Sequence, residues 1–273
     1  IKRQLVLIAV VLLSLGMNIS YGQDAPAHPR LWIDGAAHLE QLRSWAREDN
    51  PLWGQIRTMA EEAAMEMEAG NLPEGDMGGY AYTEYPNENY AMLLAFVSLI
   101  HPDPATRLDY AERARTLLMY VINQAALGEA DLPFRSPDFA ISDRSRWHGL
   151  AFPLTVDWIY PILTPEDKAS IRTVFLRWAE TNRTAYTTNN NHPEPVGVVN
   201  DPVLLADRDY VRWSNNNYYA AHMRNMGLMA LALDPTDDAS GTLQQFLQEA
   251  TGAWLYVIDD QMRTDVAGGL GAE

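Results

Sequence analysis

Over residues 104–126 the apolar side chains Ala111, Ala114, Leu117, Leu118, Val121, Ile122 and Ala125 recur every three or four positions. That spacing, held for about four turns, buries a continuous stripe only as an α-helix, so it commits this part of the chain to helical packing. The same period runs through the chain from residue 30 onward. Leu39, Leu42, Trp45 and Ala46 form a first stripe, and residues 51–69 make a second helix with Pro51 near its start. Residues 88–100 read as an apolar helix that stops before His101-Pro102. Residues 148–161 are mostly apolar, with Leu150, Leu154 and Trp158 on one face. Thr164-Pro165-Glu166-Asp167 has the form of a helix start, with Thr as cap, Pro in the first turn and Asp three beyond the cap. The helix it opens turns Ile171, Val174, Phe175 and Trp178 inward. A last pair spans 216–233, rich in Ala, Met and Leu, and 242–260, striped by Leu243, Phe246, Leu247, Ala250, Trp254, Val257 and Ile258.

A helix apolar nearly all round is thus repeatedly followed by one with a single stripe. The first kind is expected inside and the second outside it. Short links such as His101-Pro102-Asp103 and Asp234-Pro235-Thr236-Asp237 favour antiparallel hairpins. Hairpins with inner and outer members predict an all-α, two-layered ring or arc, with a plain helical bundle as the competing arrangement. No run reads as a strand. The polar, aromatic-bearing segments 70–86, 127–146 and 186–214 all lead into inner helices, which would gather them at one rim.

Ahead of this region, Lys2 and Arg3 precede an apolar run from Leu5 to Leu15, and Ser20 and Gly22 suit a small-residue cleavage site. Residues 1–22 therefore read as a secretory signal peptide, their apolar run being shorter than the roughly 20 residues that span a bilayer. Residues 23–273 form the expected helical domain. The protein is expected to be secreted or periplasmic and bacterial, with no membrane insertion once the leader is removed. The chain starts with Ile and stops at Ala272-Glu273, and reads as a piece of a longer protein. Cleavage moves the formal charge from -16 to -18. With no basic cluster, nucleic acid is set aside as a partner. The chain has no cysteine, so disulfides contribute nothing and packing must supply its stability.

Three stretches carry candidate chemistry. Trp213-Ser214-Asn215-Asn216-Asn217-Tyr218-Tyr219 runs into an apolar helix whose free backbone N–H groups favour an anion such as a carboxylate. His222 shares a helix face with Tyr218 and Tyr219, and Asn225 extends that face. The alternative is capping by Asn215 or Asn216, with the rings in the core. In Arg144-Ser145-Arg146-Trp147-His148, arginine offers a planar fork for a carboxylate and Trp147 a flat face for a sugar. The plainer reading pairs an arginine with Asp143 or Asp157 and packs Trp147 inside. Tyr80 and Tyr82, in a glycine-rich stretch, would either line a sugar groove or pack within a loop. No metal site is expected: His38 and Glu40 are two apart and point to different helix faces, and zinc, nucleophile-elbow and phosphate-loop signatures are absent.

Three segments also resemble the helical domain of heparinase II/III-like and alginate-lyase-like proteins. These are His28-Pro29-Arg30-Leu31-Trp32, Asp157-Trp158-Ile159-Tyr160-Pro161 leading to Leu163-Thr164-Pro165-Glu166, and Asn215-Asn216-Asn217 running into 227–233. The resemblance implies an incomplete α/α toroid, normally followed by a β-sandwich domain. It also implies cleavage of an acidic polysaccharide by β-elimination, with no nucleotide or organic cofactor. Such proteins often show Asn-Asn-His where this chain has Asn215-Asn216-Asn217, so the histidine position is filled by Asn217. Elimination needs a base near C5 and neutralisation of the uronate carboxylate. Asn216, Asn217 and Arg146 are the candidates for the carboxylate, and Tyr218 or Tyr219 for proton transfer. His222 or His148 is the candidate base, and Trp147, Trp213, Tyr80 and Tyr82 are the candidate stacking residues. Two rival functions stay open: a glycoside hydrolase on a similar toroid, using two of Asp143, Asp157 and Glu84, and a non-catalytic glycan-binding or scaffold protein.

Overall fold

The computed structural model describes residues 26–76, 78–79, 83–184 and 217–263, with side chains throughout except at 217–219 and 255–263. The described residues are helical and contain no strand. The helices are α1 Gly35–Trp45, α2 Pro51–Glu68, α3 Asn87–Ile100, α4 Pro104–Ala126, α5 Ser145–Ile159, α6 Pro165–Arg183, α7 Asn217–Leu231 and α8 Thr242–Arg263. Short 3-10 turns lie at Pro137–Ile141, Tyr160–Ile162 and Pro235–Asp237.

Local chemistry sets several of these boundaries. Thr164 and Asp167 form a reciprocal capping box at the head of α6, with Thr164 Oγ1 accepting from the Asp167 N–H at 3.1 Å and Asp167 Oδ2 from the Thr164 N–H at 3.0 Å. Asp103 caps α4 through the Thr106 N–H at 2.8 Å, and Pro104 takes the first helical position. Asn50 caps α2 ahead of Pro51 in the same manner. Asp167 also receives both Nε and Nη2 of Arg115, which fastens α4 to the start of α6.

Packing follows the expected division of labour. Helices α3, α5 and α7 lie side by side, while α4 backs onto α3 and α8 onto α7. Twelve of the fifteen residues of α5 are buried, against seven of nineteen in α6, so the helix apolar all round is the enclosed one. Two details depart from the sequence expectation. Trp45 lies on the predicted inward stripe yet is 50% exposed, because α1 rests loosely on α3 and buries none of its residues fully. Consecutive α5 and α6 do not run closely together. They meet through the stacked rings of Phe152 and Trp178, 6.4 Å between centroids, and α6 packs its backbone against α4 and α7 instead.

The segment before α1 is clasped across the far end of α5 and α7. Asp157, wholly buried in α5, accepts from the Arg30 N–H at 2.9 Å, the Leu31 N–H at 2.9 Å and His28 Nδ1 at 2.6 Å. The Arg30 side chain reaches the carbonyls of Leu231 and Leu233 at 3.0 and 2.9 Å and the Asp234 carboxylate at 2.9 Å, closing the C-terminal end of α7. The His28 ring stacks on Tyr160 at 3.6 Å, and the Trp158 indole N–H donates to the Leu31 carbonyl. Tyr160 hydrogen-bonds Asp237, and burial together with that carboxylate drives its phenol pKa far above the usual value. The segments 28–32 and 157–166 meet here with the end of the segment 227–233. Asp157→Ala would strand two buried backbone N–H groups, and is expected to lower unfolding stability by about 2–4 kcal/mol. Urea titration followed by tryptophan fluorescence checks this, and a change below about 0.5 kcal/mol would contradict it.

Candidate functional site

At the opposite end, the first turns of α3 and α5 are joined by a buried guanidinium. Arg144, fully enclosed just ahead of α5, donates through Nε and Nη2 to Glu88 at 3.0 and 2.8 Å. The other side of the fork donates to both oxygens of Asp76, with Nη1 to Oδ1 at 2.9 Å. Asp76 in turn accepts from the backbone N–H groups of Gly78 and Asn87, each at 3.0 Å. Asp76 and Gly78 ahead of α3, Glu88 in α3 and Arg144 ahead of α5 thus share one ion cluster. Burial works against both carboxylates. At Asp76 the Arg144 hydrogen bonds and the backbone donors outweigh it, and at Glu88 the His148 ring and the Arg144 fork do so, leaving both below the usual carboxylate range.

His148 sits one turn after Arg144 inside a cage of rings. Phe139, Phe152, Phe134 and Trp178 have centroids 4.7, 5.0, 5.9 and 6.1 Å away, and the residue is 1% exposed. Nδ1 lies 3.1 Å from the Arg144 carbonyl, while Nε2 makes no hydrogen bond and lies 3.8 Å from Glu88. Burial pushes its pKa below the ordinary histidine value, with Glu88 opposing. Phe134 holds φ +60, an unusual backbone state for a non-glycine residue, and its ring covers the Arg144 guanidinium at 5.8 Å. Gly78, at φ +65, lies beneath that ring: a Cβ there would stand 2.2 Å from Phe134 Cζ, so only glycine fits.

The neighbouring junction, between α5 and α7, faces outward. Asn225 is fully buried and donates to the Ser145 carbonyl at 3.1 Å. Gly149 makes this approach possible, since a Cβ on it would lie 2.1 Å from Asn225 Cγ. Arg224 Nη2 donates to the Arg146 carbonyl at 2.6 Å and to Asn225 Oδ1 at 3.1 Å. Arg146 Nη2 donates to Asp143 at 2.9 Å, and Trp147 beside it is 45% exposed. Arg224 has no carboxylate partner among the described residues. Its burial and the charge of Arg146 hold its pKa below the usual guanidinium value.

The predicted site residues therefore divide. Arg146 and Trp147 lie at this outward junction, and Trp147 is not in the core. His222 is on α7 and 2% exposed, and His148 is enclosed in the aromatic cage. Asn217, Tyr218 and Tyr219 form the first turn of α7, with their side chains outside the described set, as are residues Tyr80, Tyr82, Trp213 and Asn216 altogether. Of the carboxylates considered for hydrolysis, Asp157 is committed to the clasp and Asp143 to Arg146. Asp76, Glu88 and Arg224 were not anticipated. Glu88 had a legible signal, a carboxylate on the same face as Ala91 and Ala95 of an apolar helix. Among the described residues no cluster suited to a metal ion occurs, and no helix is long and apolar enough to cross a membrane. An open groove of about 460 Å³, lined by Glu61, Thr106, Asp109, Tyr110 and Arg113, belongs to the α2–α4 face near the start of α4, away from this end. Comparison of the chain with protein-family models, with curated proteins and with solved structures finds no match in any of the three.

Two outcomes follow from this geometry. Gly149→Ala drives a methyl into Asn225, and is expected to cost about 1–3 kcal/mol in urea unfolding; an unchanged midpoint would contradict the close approach. Depressed folded-state pKa values at Asp76 and Glu88 add stability that is complete above about pH 4 and lost as pH falls through the folded values. His148, also depressed, adds stability that is complete above about pH 6.5 and declines below it. Melting temperature should fall from pH 7 to pH 5 and again below pH 4, with His148→Phe flattening the upper limb and, by removing the pull of the ring on Glu88, reducing the lower one. A wild-type melting temperature equal at pH 7 and pH 5 would contradict the assignment to His148.

Proposed function

We propose that this chain is the α/α-toroid part of an exported polysaccharide lyase that cleaves a uronate-containing polysaccharide by β-elimination. The observation that carries this reading is the hydrogen bond from Arg224 to the Arg146 carbonyl, which sets two guanidinium-bearing residues and the exposed Trp147 beside the outward end of α7. Support for the toroid comes from the row α3–α5–α7 backed by α4, α6 and α8, an arc of inner and outer helices. The inner helices start at a common end, where the positive poles of their backbone dipoles favour an anionic substrate.

In this reading Trp147 provides a face for a sugar ring, and Asn216, Asn217 and Arg146 offset charge on the uronate carboxylates. A tyrosine of the first turn of α7, Tyr218 or Tyr219, is the proton-transfer group. His222, three to four residues further on, shares a helix face with these positions. The base removes the C5 proton, the electron pair forms the C4–C5 double bond, and the C4–O bond breaks. The departing oxygen stays on C1 of the preceding sugar, takes up a proton and becomes the reducing-end hydroxyl of that fragment, while the unsaturated uronate becomes the non-reducing end of the other. The step balances with no cofactor. His148, sealed among rings, holds the α5 start in place instead of meeting substrate.

The test uses the full-length mature protein on uronate-containing and neutral polysaccharides, recording product ultraviolet absorbance and reducing ends together. Absorbance rising with new ends on an acidic substrate is the expected result. New ends without absorbance would replace elimination with hydrolysis.

A further inference from the structure

We propose that Arg224 is a carboxylate receptor for a neighbouring uronate unit, so that the site takes polymers whose successive sugars are acidic. This rests on the carbohydrate-cleaving reading above and extends it from the reacting sugar to the one beside it.

The inward donors of Arg224 are spent on neutral oxygens. Nε and Nη2 hold Asn225 Oδ1 at 3.3 and 3.1 Å, and Nη2 also holds the Arg146 carbonyl. Among the described residues Nη1 makes no hydrogen bond, which leaves its two N–H donors for a ligand. The half-buried guanidinium lies near that of Arg146 in a chain with 36 acidic and 20 basic residues. Where most other guanidinium groups find carboxylates, among them Arg57, Arg113, Arg115, Arg144 and Arg183, Arg224 finds none among the described residues. Leaving a charge partly desolvated beside a like charge is unfavourable, and an anion seated between Nη1 and the solvent relieves it. Trp147, exposed on the same turn as Arg146, supplies the flat apolar surface that distinguishes a sugar acid from a small inorganic anion.

Position along α7 separates this receptor from the reacting end. Asn217 and Arg224 are seven residues apart, about 10 Å of helix axis. Two turns below the first turn, Arg224 is placed for the sugar next to the reacting one.

The test is calorimetric binding of a short oligouronate and of its carboxyl-reduced, neutral counterpart to the full-length mature protein. Arg224→Gln should weaken oligouronate binding about 10- to 100-fold, the loss of a charged hydrogen bond, while leaving the neutral oligomer and the melting temperature little changed. Arg224→Lys should recover part of the loss. Asp143→Asn removes a competing carboxylate beside Arg146 and should tighten oligouronate binding, a gain that damage to the fold does not produce. Undiminished binding by Arg224→Gln, equal loss for both oligomers, or a wild type that binds neither would overturn the proposal. Oligouronate binding lost in Arg224→Gln by a protein that forms no unsaturated product would refute elimination and leave the receptor standing. Unsaturated product formed with unaltered oligouronate affinity in Arg224→Gln would do the reverse.

Discussion

The fork of Arg144 fixes where the inner helices begin. A guanidinium taken wholly out of water is unfavourable by several kcal/mol unless its donors are matched, and here Asp76 and Glu88 receive it on both edges. Replacing such a cluster with well-packed apolar side chains often leaves stability unchanged or raises it, so net energy does not explain its presence. Geometry does. A planar fork accepts only a narrow set of carboxylate positions, and the two carboxylates come from the segment before α3 and from the first turn of α3, while the fork itself stands just ahead of α5. An apolar contact tolerates a slip by part of a turn, whereas this one does not. Phe134, in its strained backbone state, and Gly78 close the cluster from the loop side.

The outward junction depends on that register. With the start of α5 pinned by Arg144, the Ser145 and Arg146 carbonyls present themselves to Asn225 and Arg224, and the bare Cα of Gly149 lets α7 come close. The same short stretch of α5 therefore serves two junctions, one holding the fully matched charge of Arg144 and one receiving Arg224 of α7, which has no carboxylate partner among the described residues. A strongly acidic protein repels polyanions at a distance, but Debye screening confines that field to roughly 10 Å at moderate salt. Contact recognition is then set by the few groups at the rim, so net acidity is compatible with the proposed uronate ligand.

How much of this was legible depended on how local each cause is. The capping box of Thr164 and Asp167 spans three residues, and the heads of α2 and α4 announce themselves by Asn50-Pro51 and Asp103-Pro104. Periodicity separated enclosed α5 from half-exposed α6 because burial is written on every turn. The wide spacing of α5 and α6 was not legible, since it is set by Phe152 and Trp178 meeting across 26 positions. His148 read as a candidate base because nothing adjacent in sequence reveals that four rings, drawn from the 127–144 loop, α5 and α6, close over it. The role of Arg144 was hidden for the same reason, its partners lying 56 and 68 residues upstream. His28-Pro29-Arg30-Leu31-Trp32 stood out as a signature, and the structure gives it a mechanical task far from the candidate site.

That clasp also orders events in time. Arg30 is synthesised early, but its backbone acceptor Asp157 follows 127 positions later and its side-chain acceptor Asp234 follows 204 positions later. Among the described residues Arg30 has one near acceptor, the exposed Pro26 carbonyl at 3.1 Å, and its buried partners become available only once the later helices have formed. Contacts of such long sequence separation close late, because the loop entropy must be overcome before they gain anything. The clasp is therefore a completion step: it binds the beginning of the chain only to a body in which α5 and the end of α7 already stand together.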